Sequence, residues 1–130
     1  MAWNTKKFSN KQERRVAKGL GARVQLGSGC IKSASLKADV SLKDELKILF
    51  ECKTKAQKGV MQEFRSMSIK KDWLLTVKQQ ALDGGYDMGV LVFSFGDGKD
   101  YYTLSELDFQ NLVQEVKDLR KLVADLQKEE

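Results

Sequence analysis

The sequence predicts an α/β protein in which a mixed sheet of four or five strands is flanked by helices. Three observations predict this fold class. The chain has 130 residues, of which 42% are hydrophobic, and is long enough to bury the core of one domain. Residues 89–95 form a continuous apolar run, which is typical of a strand buried on both faces. Before this run, apolar residues recur at every fourth position, as on the core-facing side of a helix: Ile69, Trp73, Val77 and Ala81.

The amino-terminal part is predicted to be an arm followed by a helix. Residues 1–9 are polar and basic, and we expect them to form a loose arm. A helix is predicted over residues 11–20, because Asn10 is a favourable N-cap and Glu13 follows it in a capping-box pattern. Residues 22–26 are then a candidate strand.

Two further strands are predicted to form an antiparallel hairpin. Residues 39–42 and 46–50 contain β-branched and aromatic side chains, and a short polar segment separates them. The hairpin would bring Asp39 and Glu51 side by side at its open end. Because strand side chains alternate between faces, Glu51 and Lys53 would share one face and Cys52 would point to the other.

The carboxyl-terminal half continues with a helix, two strands and a last helix. The first helix is predicted over residues 69–82 with Ser68 as its N-cap, and its stripe places Trp73 in the core. After the buried strand at residues 89–95, a glycine-containing turn should return the chain as a strand at residues 100–103.

The last helix, predicted over residues 105–128, carries the pattern of a coiled coil. Its apolar residues are spaced alternately by three and four positions: Phe109, Leu112, Val116, Leu119, Val123 and Leu126. Valine at the first and leucine at the fourth heptad position favour a parallel two-stranded pair, so we expect residues 105–130 to form a homodimer. The alternative is that this helix packs on its own domain, aided by Val113 and Leu122.

Composition and charge narrow the function classes. The absence of histidine argues against Ser-His and Cys-His catalysis and against most zinc sites, and Cys30 and Cys52 have no metal-binding spacing. No apolar run approaches the ~20 residues that span a bilayer, and the start of the chain lacks the apolar segment of a secretory signal. We therefore expect a reduced, intracellular protein without a membrane partner.

The charge is unevenly distributed along the chain. Residues 1–80 hold 18 Lys and Arg against 7 Asp and Glu, whereas residues 81–130 hold 5 against 11. A basic body favours a polyanionic partner, although the same charges could serve solubility alone. The candidate DNA-binding residues are Lys11, Arg14, Arg15, Lys18, Arg23, Lys32, Lys37, Lys55 and Lys58.

Two carboxylates and a lysine on one surface indicate metal-assisted phosphoryl chemistry. Carboxylate oxygens suit Mg²⁺, which activates water and neutralises charge on a phosphoryl oxygen, and an ammonium group stabilises the negative charge that develops. Asp39, followed by Glu51-Cys52-Lys53 at the end of a strand, resembles the D…(D/E)-x-K signature of the PD-(D/E)xK nuclease superfamily.

The resemblance extends over residues 11–95. The layout of this region is similar to that of archaeal and phage Holliday junction resolvases. Glu13 lies in a basic helix upstream, Gly27-Ser28-Gly29 lies between, and Lys37-Ala38-Asp39 resembles a K-G-D form. One departure is the helix over residues 69–82, where those resolvases tend to have a lysine and an acidic residue and this chain has Thr76 and Gln80.

The resemblance implies a restriction-endonuclease-like nuclease domain over residues 1–104. It implies a Mg²⁺-dependent endodeoxyribonuclease, with Mn²⁺ as a substitute, that cleaves four-way or branched DNA. Asp39, Glu51 and the Cys52 carbonyl would hold the metal, and Lys53 would polarise the water or the phosphate. A viral or mobile-element origin fits the resemblance and would place the protein in a host cytoplasm.

Two supporting residues and the function itself have alternative interpretations. Glu13 either caps its own helix or supplies a third carboxylate through water. Ser28 either contacts phosphate or metal-bound water, or belongs to a plain turn. Another nuclease of the same superfamily (restriction-type, nicking or exonucleolytic) or a non-catalytic DNA-binding protein are the alternatives to a junction resolvase.

Overall fold

The structure is a computed structural model that describes residues 5–24, 39–43 and 45–129, with the side chains of residues 5–9 left out. A short 3-10 helix, Gln62–Phe64, lies between the third strand and the second long helix. The other elements, in chain order, are α1 (Thr5–Leu20), β1 (Arg23–Val24), β2 (Val40–Lys43), β3 (Lys47–Thr54), α2 (Lys71–Asp83), β4 (Met88–Ser94), β5 (Tyr101–Thr103) and α3 (Glu106–Lys128).

The five strands form one mixed sheet in the order β1-β2-β3-β4-β5, which confirms the predicted α/β class. The pair β3–β4 is parallel and the other pairs are antiparallel. A parallel pair needs a crossover connection, and α2 provides it. Val40 is opposite Phe50 in β2–β3, and Glu51 is opposite Leu91 in β3–β4.

Alternation along β3 gives the sheet two different faces. Phe50 and Cys52 belong to the apolar cluster that includes Val16 of α1. Leu49 points the other way and packs with Val77 of α2. Because residues two apart share a face, Glu51 and Lys53 lie on the α2 side of the sheet.

Two helix starts differ from the sequence prediction. α1 begins at Thr5, so residues 5–9 are helical rather than a loose arm, and Asn10 is inside the helix instead of at its N-cap. No proline or glycine interrupts residues 5–18, so nothing in the local sequence stops the helix from starting earlier. α2 begins at Lys71 with Lys70 at the N-cap, so the assignment of Ser68 as the cap is wrong.

α3 starts as predicted but does not pack on the domain along its length. The Ser105 hydroxyl accepts a hydrogen bond from the Asp108 N–H at 3.2 Å, which caps the helix. Among the residues of α3, all of which are described, no side chain is buried. Leu112 and Val113 are half-buried, whereas the seam from Val116 onward is exposed. The alternative of packing α3 on its own domain is therefore unsupported beyond its second turn. No helix in the described parts of the chain is long and apolar enough to cross a membrane.

Candidate active site

The ends of β2 and β3 bring Asp39 beside Glu51. Asp39 directly precedes β2, and its backbone N–H donates to the Phe50 carbonyl oxygen at 2.9 Å. Its carboxylate oxygen Oδ2 accepts a hydrogen bond from the Cys52 N–H at 2.8 Å. The side chain is buried, with 8% exposure. The strand pairing that defines the hairpin therefore also orients the Asp39 carboxylate.

Glu13 joins these two carboxylates from α1. The Glu13 carboxyl interacts with that of Asp39 and, more weakly, with the charge of Glu51, and both interactions raise its pKa. Since Glu13 lies well inside α1, it does not cap the helix, and its capping interpretation is wrong. Acidic side chains from α1, from the residue before β2 and from β3 thus approach one another at the same end of these two strands.

The crowding of these groups raises two pKa values. Burial first, and then the charge of Asp39 and a hydrogen bond with it, raise the pKa of Glu13 from 4.5 to about 7. Burial and the charge of Asp39 also raise the pKa of Glu51 to about 7, although the nearby Lys53 ammonium opposes this. Near neutral pH the cluster therefore shares protons instead of carrying three full negative charges.

The chemistry of the cluster fits a hard cation, although the cluster is not preassembled. Among the described residues, no three Asp, Glu or Cys side chains already stand in an arrangement that could hold a metal ion. The groups that converge are carboxylate oxygens, the ligands Mg²⁺ prefers. A divalent cation at this end of the strands would displace the shared protons and relieve the repulsion among the carboxylates.

Cys52 contributes its backbone and not its thiol. Its side chain lies on the opposite face of the sheet, in the apolar cluster. Burial foremost, and then the charge of Asp39, raise the pKa of the Cys52 thiol well above its usual range, so the sulfur stays protonated and is a poor metal ligand. The Cys52 N–H holds Asp39 in place. A role for the Cys52 carbonyl as a ligand stays a prediction.

Lys53 is held between Glu51 and an aromatic ring. Its Nζ lies 3.3 Å from Glu51 Oε1 and 5.0 Å from the centroid of the Trp73 ring, a cation–π distance. Lys70 Nζ approaches the same ring at 5.7 Å. Trp73 is half-buried, so its predicted core position is only partly correct. The apolar periodicity that predicted α2 contained no signal for the contact between Trp73 and Lys53.

The face of α2 that carries Trp73 completes a small pocket around Glu51 and Lys53. Thr76 and Gln80, one and two turns further along α2, also line it. The Gln80 side-chain oxygen is buried and has no hydrogen-bond partner among the described residues. Buried acceptors of this kind are usually satisfied by water or by a ligand. Gln80 therefore places at this pocket an amide oxygen that is unpaired within the described part of the chain.

Gln12 is a structural residue that the sequence analysis missed. It is fully buried, and its Nε2 donates to the carbonyl oxygens of Lys53 at 3.0 Å and of Val92 at 3.3 Å. These bonds fasten α1 to β3 and β4 next to Glu13. The available signal is spacing, because Gln12 precedes the buried Val16 by four positions and shares its helix face.

The predicted DNA-binding residues separate into three groups. An exposed group on α1 consists of Lys11, Arg14 and Lys18, and Arg23, Lys55 and Lys58 are exposed elsewhere. Arg15 instead forms a bidentate ion pair with Asp100, with N–O distances of 3.0 and 2.9 Å, so its guanidinium is already engaged. Lys32, Lys37 and Ser28, with the whole Gly27-Ser28-Gly29 segment, lie outside the described residues.

Comparisons with protein-family models, with curated proteins and with solved structures find no match to this chain. Its function is therefore inferred from the geometry and chemistry of its own residues.

Proposed function

We propose that this protein is a Mg²⁺-dependent endodeoxyribonuclease that hydrolyses phosphodiester bonds in branched DNA. Its core would be the restriction-endonuclease-like sheet of the PD-(D/E)xK superfamily. The observation that supports this most strongly is the approach of Glu13, Asp39 and Glu51 to one another at the same end of β2 and β3, with the Lys53 ammonium 3.3 Å from Glu51.

Each side chain has a role in the proposed reaction. Asp39 and Glu51, with the Cys52 carbonyl, would hold Mg²⁺, which when bound would supply a more acidic water and neutralise charge on the phosphate. Lys53 stabilises the negative charge that develops on the phosphoryl oxygens. Glu13, which reaches the carboxylates of Asp39 and Glu51 from α1, would accept a proton from the attacking water.

The basic residues of the body are proposed to bind the DNA backbone. Lys11, Arg14 and Lys18 recur along one exposed side of α1, the helix that carries Glu13. Phosphate contacts from such a row fix the duplex relative to the site but carry no sequence information. Preference for a four-way or branched substrate then depends on the shape of the DNA.

α3 is proposed to pair two copies of the chain. Its seam residues Val116, Leu119 and Val123 are exposed, and a second seam would cover them. In a parallel in-register pair Glu115 would lie opposite Arg120 of the second copy. Valine at the first heptad position and this charge pair both favour the parallel dimer. A dimer would present two sites, as resolution of a four-way junction by two nicks requires.

The direct test is cleavage of defined DNA structures. Purified protein is incubated with linear, nicked, Y-shaped and four-way DNA, with Mg²⁺, with Mn²⁺ and with EDTA. We expect cleavage of the branched substrates with either metal and none with EDTA. Metal-independent cleavage, or none on any substrate, contradicts the proposed enzyme. Salt-sensitive DNA binding without cleavage would identify a non-catalytic DNA-binding protein instead.

A further inference from the structure

The connection between β3, which carries Glu51 and Lys53, and α2, which carries Trp73, exposes apolar side chains. We call residues 55–70 the site loop. In it, Met61 directly precedes the short 3-10 helix and is 61% exposed, and Phe64 is the last residue of that helix and is 70% exposed. The loop starts two residues after Lys53 and ends at Lys70, and both lysines approach the ring of Trp73. Its two ends are therefore fixed at the rim of the pocket.

Hydrogen bonds brace the site loop in this shape. Arg65 donates from Nε to the Val60 carbonyl oxygen at 3.2 Å and from Nη1 to that of Phe95 at 3.3 Å. The Ser66 N–H donates to the side-chain oxygen of Gln57 at 2.9 Å. A loop held by its own bonds that still turns Phe64 outward has the character of a contact surface.

The charge within and next to the site loop in the sequence indicates the kind of partner that the loop would contact. Six positive residues lie between positions 53 and 71, against one acidic residue, Glu63. Their positions are Lys53, Lys55, Lys58, Arg65, Lys70 and Lys71. A partner that offers both anionic groups and flat apolar faces is a nucleic acid, through its phosphates and its unstacked bases.

We propose that Phe64 stacks against unpaired bases of the DNA that the protein binds. This proposal deepens the proposed function and rests on it for the identity of the DNA. Apolar side chains that enter a base stack must unstack it, which costs least where pairing is already interrupted. Phe64 therefore gives the protein its preference for branch points over continuous duplex.

The experiment measures binding without cleavage. A four-way junction with 2-aminopurine at the branch, and a duplex of equal length, are titrated with protein in EDTA. We expect Phe64→Ala to weaken junction binding by roughly tenfold or more, with little effect on the duplex, because stacking on a base is lost. Phe64→Trp should retain the preference. We expect 2-aminopurine fluorescence to rise when the native protein binds, and this rise should be absent with Phe64→Ala.

The matched control is Leu82→Ala, which removes a side chain that is 65% exposed near the end of α2. It should change neither the affinity nor the fluorescence. If Phe64→Ala keeps the native preference for junctions, the role of Phe64 is refuted while the nuclease assignment stands. If the native protein binds neither DNA, both proposals fail.

Two other occupants of the loop surface are distinguished in the same series. Phe64-dependent binding to phosphatidylserine vesicles, without a DNA effect, would show that the surface meets an anionic membrane. A lower molar mass of Phe64→Ala in light scattering would show that Phe64 contacts a second copy. Either result overturns the base-stacking proposal.

Discussion

α1 and α3 are both amphipathic helices, but they are used in opposite ways. α1 buries Val16, Ala17 and the polar Gln12 against the sheet and thereby delivers Glu13 to the carboxylate cluster. α3 is longer, with 23 residues, and leaves its apolar seam in solvent. The difference teaches that apolar periodicity predicts a helix and its apolar face, but not which surface covers that face. Mutations at the cluster that α1 completes should therefore affect cleavage, and mutations in the α3 seam should affect dimerisation.

The largest effect is expected at the cluster that α1 completes. Asp39→Asn and Glu51→Gln should each lower the rate of DNA cleavage by about a thousandfold or more, because metal affinity and water activation are lost. DNA binding should persist or tighten, since a charge that repels phosphate is removed. Single-turnover cleavage and binding assays on the same junction measure both. Dimer mass should not change, and near-native cleavage by either variant would refute the metal assignment.

The next effect concerns α3 alone. Replacing Val116, Leu119 and Val123 with serine should weaken the dimer by about a hundredfold or more, because three apolar side chains lose their cover. Light scattering should show a shift from twice 14.7 kDa toward a single chain. The two nicks in a junction should become uncoupled while the rate of each nick stays the same.

Control and orientation variants make this test decisive. The control changes polar residues on the other side of α3: Lys117→Gln, Lys121→Gln and Asp125→Asn. Glu115→Lys alone should dissociate a parallel dimer, and adding Arg120→Glu should restore it. A native protein that is monomeric at micromolar concentration, or a dimer that survives the triple serine change, would rule out the α3 interface.

A smaller effect is expected at Trp73, a positioning residue. Trp73→Leu should lower kcat by about tenfold with little change in KM, because Lys53 loses the ring face that holds its ammonium group. Trp73→Phe should recover most of the rate. The Lys53 methylene resonances should move downfield in Trp73→Leu as the ring current disappears. Leu82→Ala, which removes an exposed side chain of the same helix, is the control. Equal losses in the Phe and Leu variants would mean that Trp73 acts only through packing.

Neighbouring arginines on α1 allow a matched comparison within one helix. Arg14→Ala should weaken DNA binding severalfold and reduce the slope of log K against log salt by about one unit, because an exposed phosphate contact is lost. Arg15→Ala should instead cost about 1 kcal/mol of unfolding free energy, because the pair with Asp100 is broken. Filter binding at several salt concentrations and urea unfolding separate the two. If Arg14→Ala lowered stability and Arg15→Ala weakened DNA binding, the roles assigned to these two arginines would be reversed.

The smallest effect is a dependence of stability on pH in EDTA. Glu13 and Glu51 have pKa values near 7 in the folded protein against 4.5 unfolded, so folding takes up protons between these values. The stabilisation is complete below pH 4.5 and is lost as the pH rises through 7. We expect Tm to fall by at least several degrees between pH 5 and pH 8. Glu51→Gln should reduce this fall in Tm, and added Mg²⁺ should reverse it. A rise in Tm between pH 5 and pH 8 would contradict the raised pKa values of the carboxylate cluster.

The sequence predicted those parts of the site that depend on local periodicity. Alternation along one strand was enough to place Glu51 and Lys53 on one face, and the hairpin brought Asp39 beside them. Contacts between distant segments had no such signal. The ion pair of Arg15 with Asp100 joins residues 85 positions apart, and Gln12 bonds to residues 41 and 80 positions away. Ordinary polar residues acquire these roles only through tertiary packing.

The parallel pairing of β3 with β4 has a consequence for the order of folding. β2 and β3 are joined by a short turn and can pair early, and α3 needs only contacts within itself. β4 reaches β3 only after a crossover of more than thirty residues closes, which is the slow kind of step in a small protein. Because Gln12 bonds to both of these strands, the docking of α1 must wait for that closure. Protection from amide exchange should therefore appear in the hairpin before it appears around Glu13.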